Sequence, residues 1–300
     1  MSMRSEYEDY LARREHLKTT PMAGVWMNQE SRYVKPFQMY GNLYYVGDSW
    51  VCAHIVDTGN GLILFDAGNC GNGATAMLIQ AIWEAGFNPA DVKWLVLSHG
   101  HVDHIGAVNF FRRMFGTKIY LGAPDAEMFR TKPEYSIIQE STDYMDELFE
   151  PDVEIQDGDK IFFGGTEVQF YLVPGHTEGT IACFFDVTDG RETKRVGYYG
   201  GFGFNTLQKE FLQEFGDPEY KMRQVYLDSI KKVRDQKVDI FMPNHTVNVN
   251  LLEKRRYMLE HPGENPFVDD EAWKKYLDRK YEDLLKLISE LENKKISAGA

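Results

Sequence analysis

The chain is expected to fold as a layered α/β protein, and three observations carry that expectation. Apolar runs and amphipathic helical stripes alternate in a β-α-β-α-β order between residues 62 and 121. The run Leu62-Ile63-Leu64-Phe65 is continuously apolar, as a strand covered on both faces would be. Leu78, Ala81, Ile82 and Ala85 then follow an i, i+3, i+4, i+7 spacing, which places them on one side of a helix.

Taken in order, residues 1–25 read as an N-terminal arm, its first 20 residues charged and suited to a short helix. Leu43-Tyr44-Tyr45-Val46 and His54-Ile55-Val56 read as strands on either side of a turn at Gly47-Asp48, and Gly59-Asn60 precedes the strand ending at Phe65. Gly86 and Pro89 stop the first helix. A strand over 92–98 leads to a histidine-rich motif, and a second helix is expected to begin near Asp103, with Val108, Phe111 and Phe115 on one side. Lys118–Leu121 is the next strand. Residues 125–152, polar and aromatic with Tyr135, Tyr144 and Phe149, break the rhythm and read as an excursion over the cleft, a lid or pocket wall. Strands resume at Lys160–Phe163, Val168–Val173, Ile181–Phe185 and Arg195–Tyr199; a helix over Tyr220–Val233 and a strand over Val238–Met242 follow. A C-terminal helix over 271–295 carries Leu277, Tyr281, Leu284, Ile288 and Leu291 at spacings of four and three. That stripe suits docking on its own domain or a homodimer contact. No repeat, low-complexity run or linker divides residues 1–300, so a single domain is expected.

Composition narrows the function. A chain of 300 residues with 43% hydrophobic residues can bury a sizeable core. A net charge of −13 lacks the cationic surface a general nucleic-acid binder needs. Three cysteines without close spacing, Cys52, Cys70 and Cys183, read as buried thiols. The opening residues lack an apolar export core, and no stretch approaches the ~20 apolar residues that span a bilayer, so a cytoplasmic location without membrane contact is expected, although a trimmed export signal leaves the same sequence.

The chemistry concentrates in Ser98-His99-Gly100-His101-Val102-Asp103-His104. Alternating side chains of extended backbone point the same way, so His99 and His101 can face one metal, while Asp103 and His104 turn toward a second. His176, in Pro174-Gly175-His176-Thr177, and His245, in Pro243-Asn244-His245, also follow apolar runs. Nitrogen-rich donors with one carboxylate suit zinc.

H-x-H-x-D-H after a strand, a later P-G-H-T and a terminal strand ending in histidine resemble the metallo-β-lactamase superfamily, over about residues 26 to 270. Finer features are similar to subclass B3 metallo-β-lactamases: Trp26-Met27-Asn28-Gln29 with Phe37 and Asn42–Gly47 near the start, and Glu253-Lys254-Arg255 with Asn265–Asp269 after His245. The resemblance implies a four-layered αββα sandwich. It also implies a first zinc on His99, His101 and His176 and a second on Asp103, His104 and His245, with iron or manganese as alternative metals. Asp66 would orient a histidine ligand from behind. Many relatives carry a carboxylate bridging the metals, but this chain has Gly200-Gly201-Phe202-Gly203 in that region, as B3 enzymes lack the bridge too. The missing charge leaves a pocket attractive to a small anionic substrate, which Asn205 and Thr206 would reach. The implied activity is hydrolysis, with metal-activated hydroxide attacking a carbonyl and Asp103 handling its proton. A β-lactam is the named substrate. A lactone, ester, thioester or other cyclic amide is the alternative, and diiron redox chemistry on the same fold a third reading.

Overall fold

The computed structural model describes residues 32–298 except 72, 139–146 and 215, together with positions 8, 11, 12 and 15. The Trp26–Gln29 segment, most of the N-terminal arm and the middle of the 125–152 excursion, Tyr144 included, lie outside the described residues.

Strand β4 (Leu62–Phe65) shows how the layers are built. Its side chains alternate between two cores: Leu62 and Leu64 face one way, Ile63 and Phe65 the other. The run is unbroken because both faces are covered. It belongs to a seven-stranded sheet in sequential order, β1 (Phe37–Tyr40), β2 (Leu43–Tyr45), β3 (His54–Asp57), β4, β5 (Val92–Val96), β6 (Lys118–Gly122) and β7 (Val153–Ile155). The pairings are antiparallel up to β4 and parallel from there to β7. A second sheet has the order β12-β11-β10-β9-β8, formed by β8 (Lys160–Phe163), β9 (Thr166–Leu172), β10 (Ile181–Thr188), β11 (Thr193–Tyr199) and β12 (Ile240–Met242).

The sheets face each other across Ile63, Phe65 and Val96 on one side and Phe170, Phe185 and Val196 on the other. The Phe65 and Phe185 rings stack at 5.2 Å. On the outer face of the first sheet, helices α1 (Ala74–Glu84) and α2 (Val108–Phe115) bury Leu78, Ile82, Val108 and Phe111. A short helix, α3 (Ala123–Thr131), follows β6 directly, and α4 (Lys209–Glu214) follows the β11 loop. On the outer face of the second sheet, α5 (Lys221–Arg234) and α7 (Ala272–Ala298) bury Tyr226, Ile230, Trp273 and Leu277, with α6 (Leu251–Glu260) between them in sequence. This is the αββα sandwich expected. The stripe of α7 is taken up by its own chain: Leu277 and Leu284 are buried, with Tyr281 and Ile288 packed against the same core. All three cysteines are buried free thiols. Among the described residues, no helix is long and apolar enough to cross a membrane.

Two departures from the sequence expectation bear on the site. The second helix begins at Val108, not near Asp103. Residues 102–107 form turns instead, pinned by bonds from Val102 N to Ser136 O and from Gly106 N to Gly68 O. A Cβ at Gly106 would sit 1.9 Å from the Asn69 carbonyl oxygen, so only glycine permits that approach. The 125–152 excursion is partly regular: Asp125 and Phe129 lie on α3, and Phe129 packs its ring edge against Phe149 in the core.

One buried group offers a clean stability experiment. His54 lies between the sheets with no exposed surface, edge-on to Tyr45, and neither ring nitrogen has a hydrogen-bond partner among the described residues. Burial depresses its pKa to about 3. The unfolded chain therefore takes up this proton first as the pH falls below about 6.5. The stability His54 contributes is full above that value and is lost as the pH falls toward 3, with a slope of about 1.4 kcal/mol per pH unit. His54→Leu should flatten the acid limb of a urea-unfolding profile by that slope. Parallel profiles for the two proteins would refute a neutral, unpartnered imidazole.

Candidate metal centre

Four loops leave the C-terminal ends of β5, β9, β11 and β12 at the same edge of the sandwich. Those after β5, β9 and β12 bring five histidines and one carboxylate together from positions 99 to 245, and the loop after β11 packs glycines against them. His99 Nε2 lies 3.1 Å from His101 Nδ1, which lies 3.0 Å from His176 Nε2. His104 Nε2 lies 3.2 Å from His245 Nε2, with Asp103 Oδ2 at 3.5 and 3.6 Å from the two. Donor atoms of His99, His101 and His176 fall within 4.8 Å of one another, and so do those of His99, Asp103 and His104, so His99 is a shared corner. His245 completes the second group through its contacts with His104 and Asp103. All six residues singled out in the sequence meet here.

The far side of each ring decides what the near side can do. His176 Nδ1 lies 3.0 Å from the Gly203 carbonyl oxygen, and His245 Nδ1 lies 3.1 Å from that of Trp50. A carbonyl only accepts, so each Nδ1 carries the proton and each Nε2 presents a lone pair. His104 Nδ1 donates to Asp66 Oδ2 at 2.7 Å, which leaves its Nε2 bare as well. The inward nitrogens of His104 and His245 are thus lone pair against lone pair unless a cation or an added proton stands between them. Burial drives His99 and His101 well below the ordinary imidazole range and His176 and His245 down to about 4. Burial also opposes charge on His104, but Asp103 and Asp66 outweigh it and raise this one ring to about 8. Burial works against the Asp103 carboxylate too, yet the surrounding imidazoles, His104 and His245 first, hold its pKa below the ordinary value. Four imidazoles held neutral and an ionised carboxylate are in the states that coordinate metal, and His104 would give up its extra proton to a bound cation, so the donor set fits two zinc ions.

Asp66 is buried, in the left-handed backbone region at the end of β4. Besides His104, it accepts bonds from Ser98 N at 2.7 Å and Tyr198 Oη at 2.6 Å. The sequence reading missed Tyr198. It also missed Asp125, a fully buried carboxylate that accepts bonds from Gly100 N, Thr177 Oγ1 and Gly179 N at 2.7–2.8 Å. Asp125 thereby ties the loop of His99 and His101 to the loop of His176. Its only sequence signal is an Ala-Pro-Asp at a strand-to-helix junction, which reads as an ordinary acidic first turn.

The glycines after β11 have a steric reason. A Cβ on Gly201 would come within 2.7 Å of His176 Cδ2, and one on Gly203 within 2.7 Å of His176 Cε1. No bridging carboxylate fits at Gly201 unless the His176 ring moves. Gly201→Asp is therefore expected to reduce bound zinc instead of adding a ligand, with a strain of about 1–3 kcal/mol. Metal analysis showing undiminished zinc would refute the packing argument.

Two cavities open beside the donors. One of about 540 Å³ is walled by Trp50, Ile137 and Val247 and floored by Asp103, His176 and His245. The other, about 220 Å³, lies on the far side of His101 and His176, against Met128, Tyr135 and Phe211. The excursion thus supplies Ile137 to one and Tyr135 to the other. Asn205 lines the larger cavity, whereas Thr206 is buried beside the smaller one, its hydroxyl without a partner among the described residues. The two residues expected to meet one substrate therefore face different spaces.

Comparison with known proteins agrees with this geometry. The family model described as "Metallo-beta-lactamase superfamily" matches residues 51–189. The hydroxyacylglutathione hydrolase GloC of Haemophilus influenzae is 30% identical over 154 residues, 51% of this chain and 68% of that protein. An uncharacterised protein of Aquifex aeolicus is 32% identical over 97 residues, 32% of this chain and 44% of that protein. Such alignments span about half the length of the curated relatives. Among solved structures, the native FEZ-1 metallo-β-lactamase of Legionella gormanii superposes with a TM-score of 0.76 at 25% identity, covering 87% of this chain and 98% of that one. BJP-1, a subclass B3 enzyme of Bradyrhizobium japonicum, gives 0.74 at 24% identity, covering 87% and 96%. Sandwich, donor cluster, family match and the Haemophilus relative agree: the chain belongs to the metallo-β-lactamase superfamily.

Proposed function

We propose that this protein is a zinc-dependent hydrolase that attacks the carbonyl of a small molecule, with B3-like β-lactam ring opening as its activity. The observation that carries the proposal is the inward convergence of imidazole lone pairs whose outer nitrogens are already committed to acceptors. His99, His101 and His176 would hold one zinc, and Asp103, His104 and His245 the other. Zinc held there supplies Lewis acidity and a water acidic enough to ionise near neutral pH. Asp103, partly open to the larger cavity, is placed to accept a hydrogen bond from the attacking water and take its proton. Asp66 fixes the tautomer and tilt of His104. Trp50, Ile137 and Val247 make an apolar wall that holds a ring against the donors. The B3 enzymes among the structural neighbours support the β-lactam reading. The Haemophilus influenzae relative, by its name a hydrolase of hydroxyacylglutathione, supports a second reading as a thioester or ester hydrolase.

The test is a hydrolysis screen of zinc-loaded protein against penicillins, cephalosporins, carbapenems, lactones and thioesters, with metal content measured on the same sample. β-Lactam turnover with two zinc ions per chain is the expected result. Lactone or thioester turnover without β-lactam turnover would replace the named substrate by the second reading. Two iron ions and no hydrolysis would overturn both.

A further inference from the structure

Asp125 ties together the two loops of the first donor set, and the turn after β2 holds a largely buried carboxylate, Asp48, placed behind the second. Asp48 Oδ1 accepts the amides of Trp50 and Val51, both at 2.7 Å, and the backbone closes the same turn from Asp48 N to Val51 O at 3.0 Å. An aspartate that gathers the amides two and three residues on fixes such a turn by itself. The turn then grips the chain around His245. The Trp50 carbonyl accepts His245 Nδ1 at 3.1 Å and Thr246 N at 3.2 Å, and the Ser49 carbonyl accepts Thr246 Oγ1 at 2.8 Å. Val51 also pairs with His245 in an isolated antiparallel bridge.

The other oxygen reaches toward His104. Asp48 Oδ2 accepts Asn69 Nδ2 at 3.1 Å, with Arg32 Nη1 at 3.8 Å. Asn69 is buried in the segment that leaves β4, and the turns after His104 rest on that segment. Ala67 N donates to His104 O at 2.8 Å, Gly106 N to Gly68 O at 2.9 Å and Ala107 N to Ala67 O at 3.1 Å. The Asn69 carbonyl is the group that Gly106 approaches. Asp48 therefore stands between the support of His245 and the support of His104, two rings whose Nε2 atoms lie 3.2 Å apart. Three donors converge on it from two segments, and among neutral or anionic side chains only a carboxylate accepts on both sides.

We propose that Asp48, acting through Asn69, is the positioning residue of the second donor set: it keeps the support of His245 in register with that of His104, and so sets the affinity for the second zinc. This rests on the metal-centre reading and is independent of which substrate is hydrolysed. Asp48 lines neither cavity beside the donors and makes no hydrogen bond to a donor side chain, so its influence reaches the metal only through the two loops.

The test reads metal binding, separately from turnover. Zinc is titrated by calorimetry, against a competing chelator, into the full chain freed of metal. The wild type should take up two ions. Asp48→Ala should bind one of them as the wild type does and the other about ten-fold more weakly or worse, the usual cost of removing a group that holds a ligand from behind. In a His245→Ala background, where the His99–His101–His176 set alone remains whole, adding Asp48→Ala should change the remaining affinity by less than about two-fold. Asp48→Asn is the gentler variant: it keeps an oxygen for the Trp50 and Val51 amides but sets an NH₂ against that of Asn69. It should weaken the same ion and spare the other. Combining Asp48→Asn with Asn69→Asp reverses donor and acceptor and should recover most of the loss. Wild-type affinity for both ions in Asp48→Ala, or equal losses at both, would overturn the positioning role while leaving the metal centre intact. Wild-type binding in Asp48→Asn, or no recovery in the exchanged pair, would overturn the tie through Asn69. A wild type that binds no zinc would overturn the centre and the tie together.

Discussion

His99→Ala is expected to lower hydrolysis by about a thousand-fold or more, the scale on which loss of a group acting in the transition state is felt. His99 belongs to the His99–His101–His176 set and its donor atom also lies within 4.8 Å of those of Asp103 and His104, so its loss opens the first set and strips a neighbour from the second. The same variant should bind fewer than two zinc ions per chain. The fold should largely survive, because the ring packs against other donors and contributes little to the three apolar cores. His245→Ala should act similarly on turnover while leaving the His99–His101–His176 group able to hold one metal. Measured kcat, zinc content and melting temperature together check this. Wild-type turnover in either variant would remove that residue from the centre.

The second large effect falls outside the donors. Asp125→Ala should destabilise the protein by about 3–5 kcal/mol, because a fully buried acceptor disappears and the amides of Gly100 and Gly179 are left without partners. Burial pushes this carboxyl up to about 6, against the pull of the Thr177, Gly179 and Gly100 bonds, so the ionised form still prevails at neutral pH. Asp125→Asn keeps the volume and one acceptor oxygen but offers an NH₂ where a donor already points. It should recover part of the stability and little of the zinc affinity, since the His99–His101 loop and the His176 loop lose their common tie. Denaturant midpoints and zinc titration separate the two consequences. Normal zinc affinity in Asp125→Ala would show that the loops hold their places without it.

The centre was legible in the sequence to the extent that its groups announce themselves by type and spacing. Three histidines and an aspartate within six positions have few structural explanations, and His176 and His245 follow apolar runs as strand-end residues do. Asp66 was legible only through the family resemblance, since a strand-ending aspartate by itself reads equally well as a turn cap. Asp125 and Tyr198 were not, because each draws its role from a distant contact. Asp125 looks like a helix-start acid until Gly179 arrives, and Tyr198 like one more alternating core residue until Asp66 lies beneath it. The strands were legible from apolar runs and flanking turn residues, which mark faces well and ends poorly: β10 runs on to Thr188 because pairing with β11 continues past the apolar stretch. Short β7 escaped notice, as three residues carry too little periodicity. The helix expected at Asp103 was misplaced because glycine at 106 serves a close backbone approach that no local pattern encodes.

The outer nitrogens of His176 and His245 rest on main-chain oxygens, those of Gly203 and Trp50. Peptide oxygens are present whatever amino acid occupies the position, so the proton arrangement of these two rings is inherited from the path of the chain. Evolution can therefore rewrite the residues that greet an incoming molecule, the indole at position 50 among them, without disturbing how the rings behind it are poised.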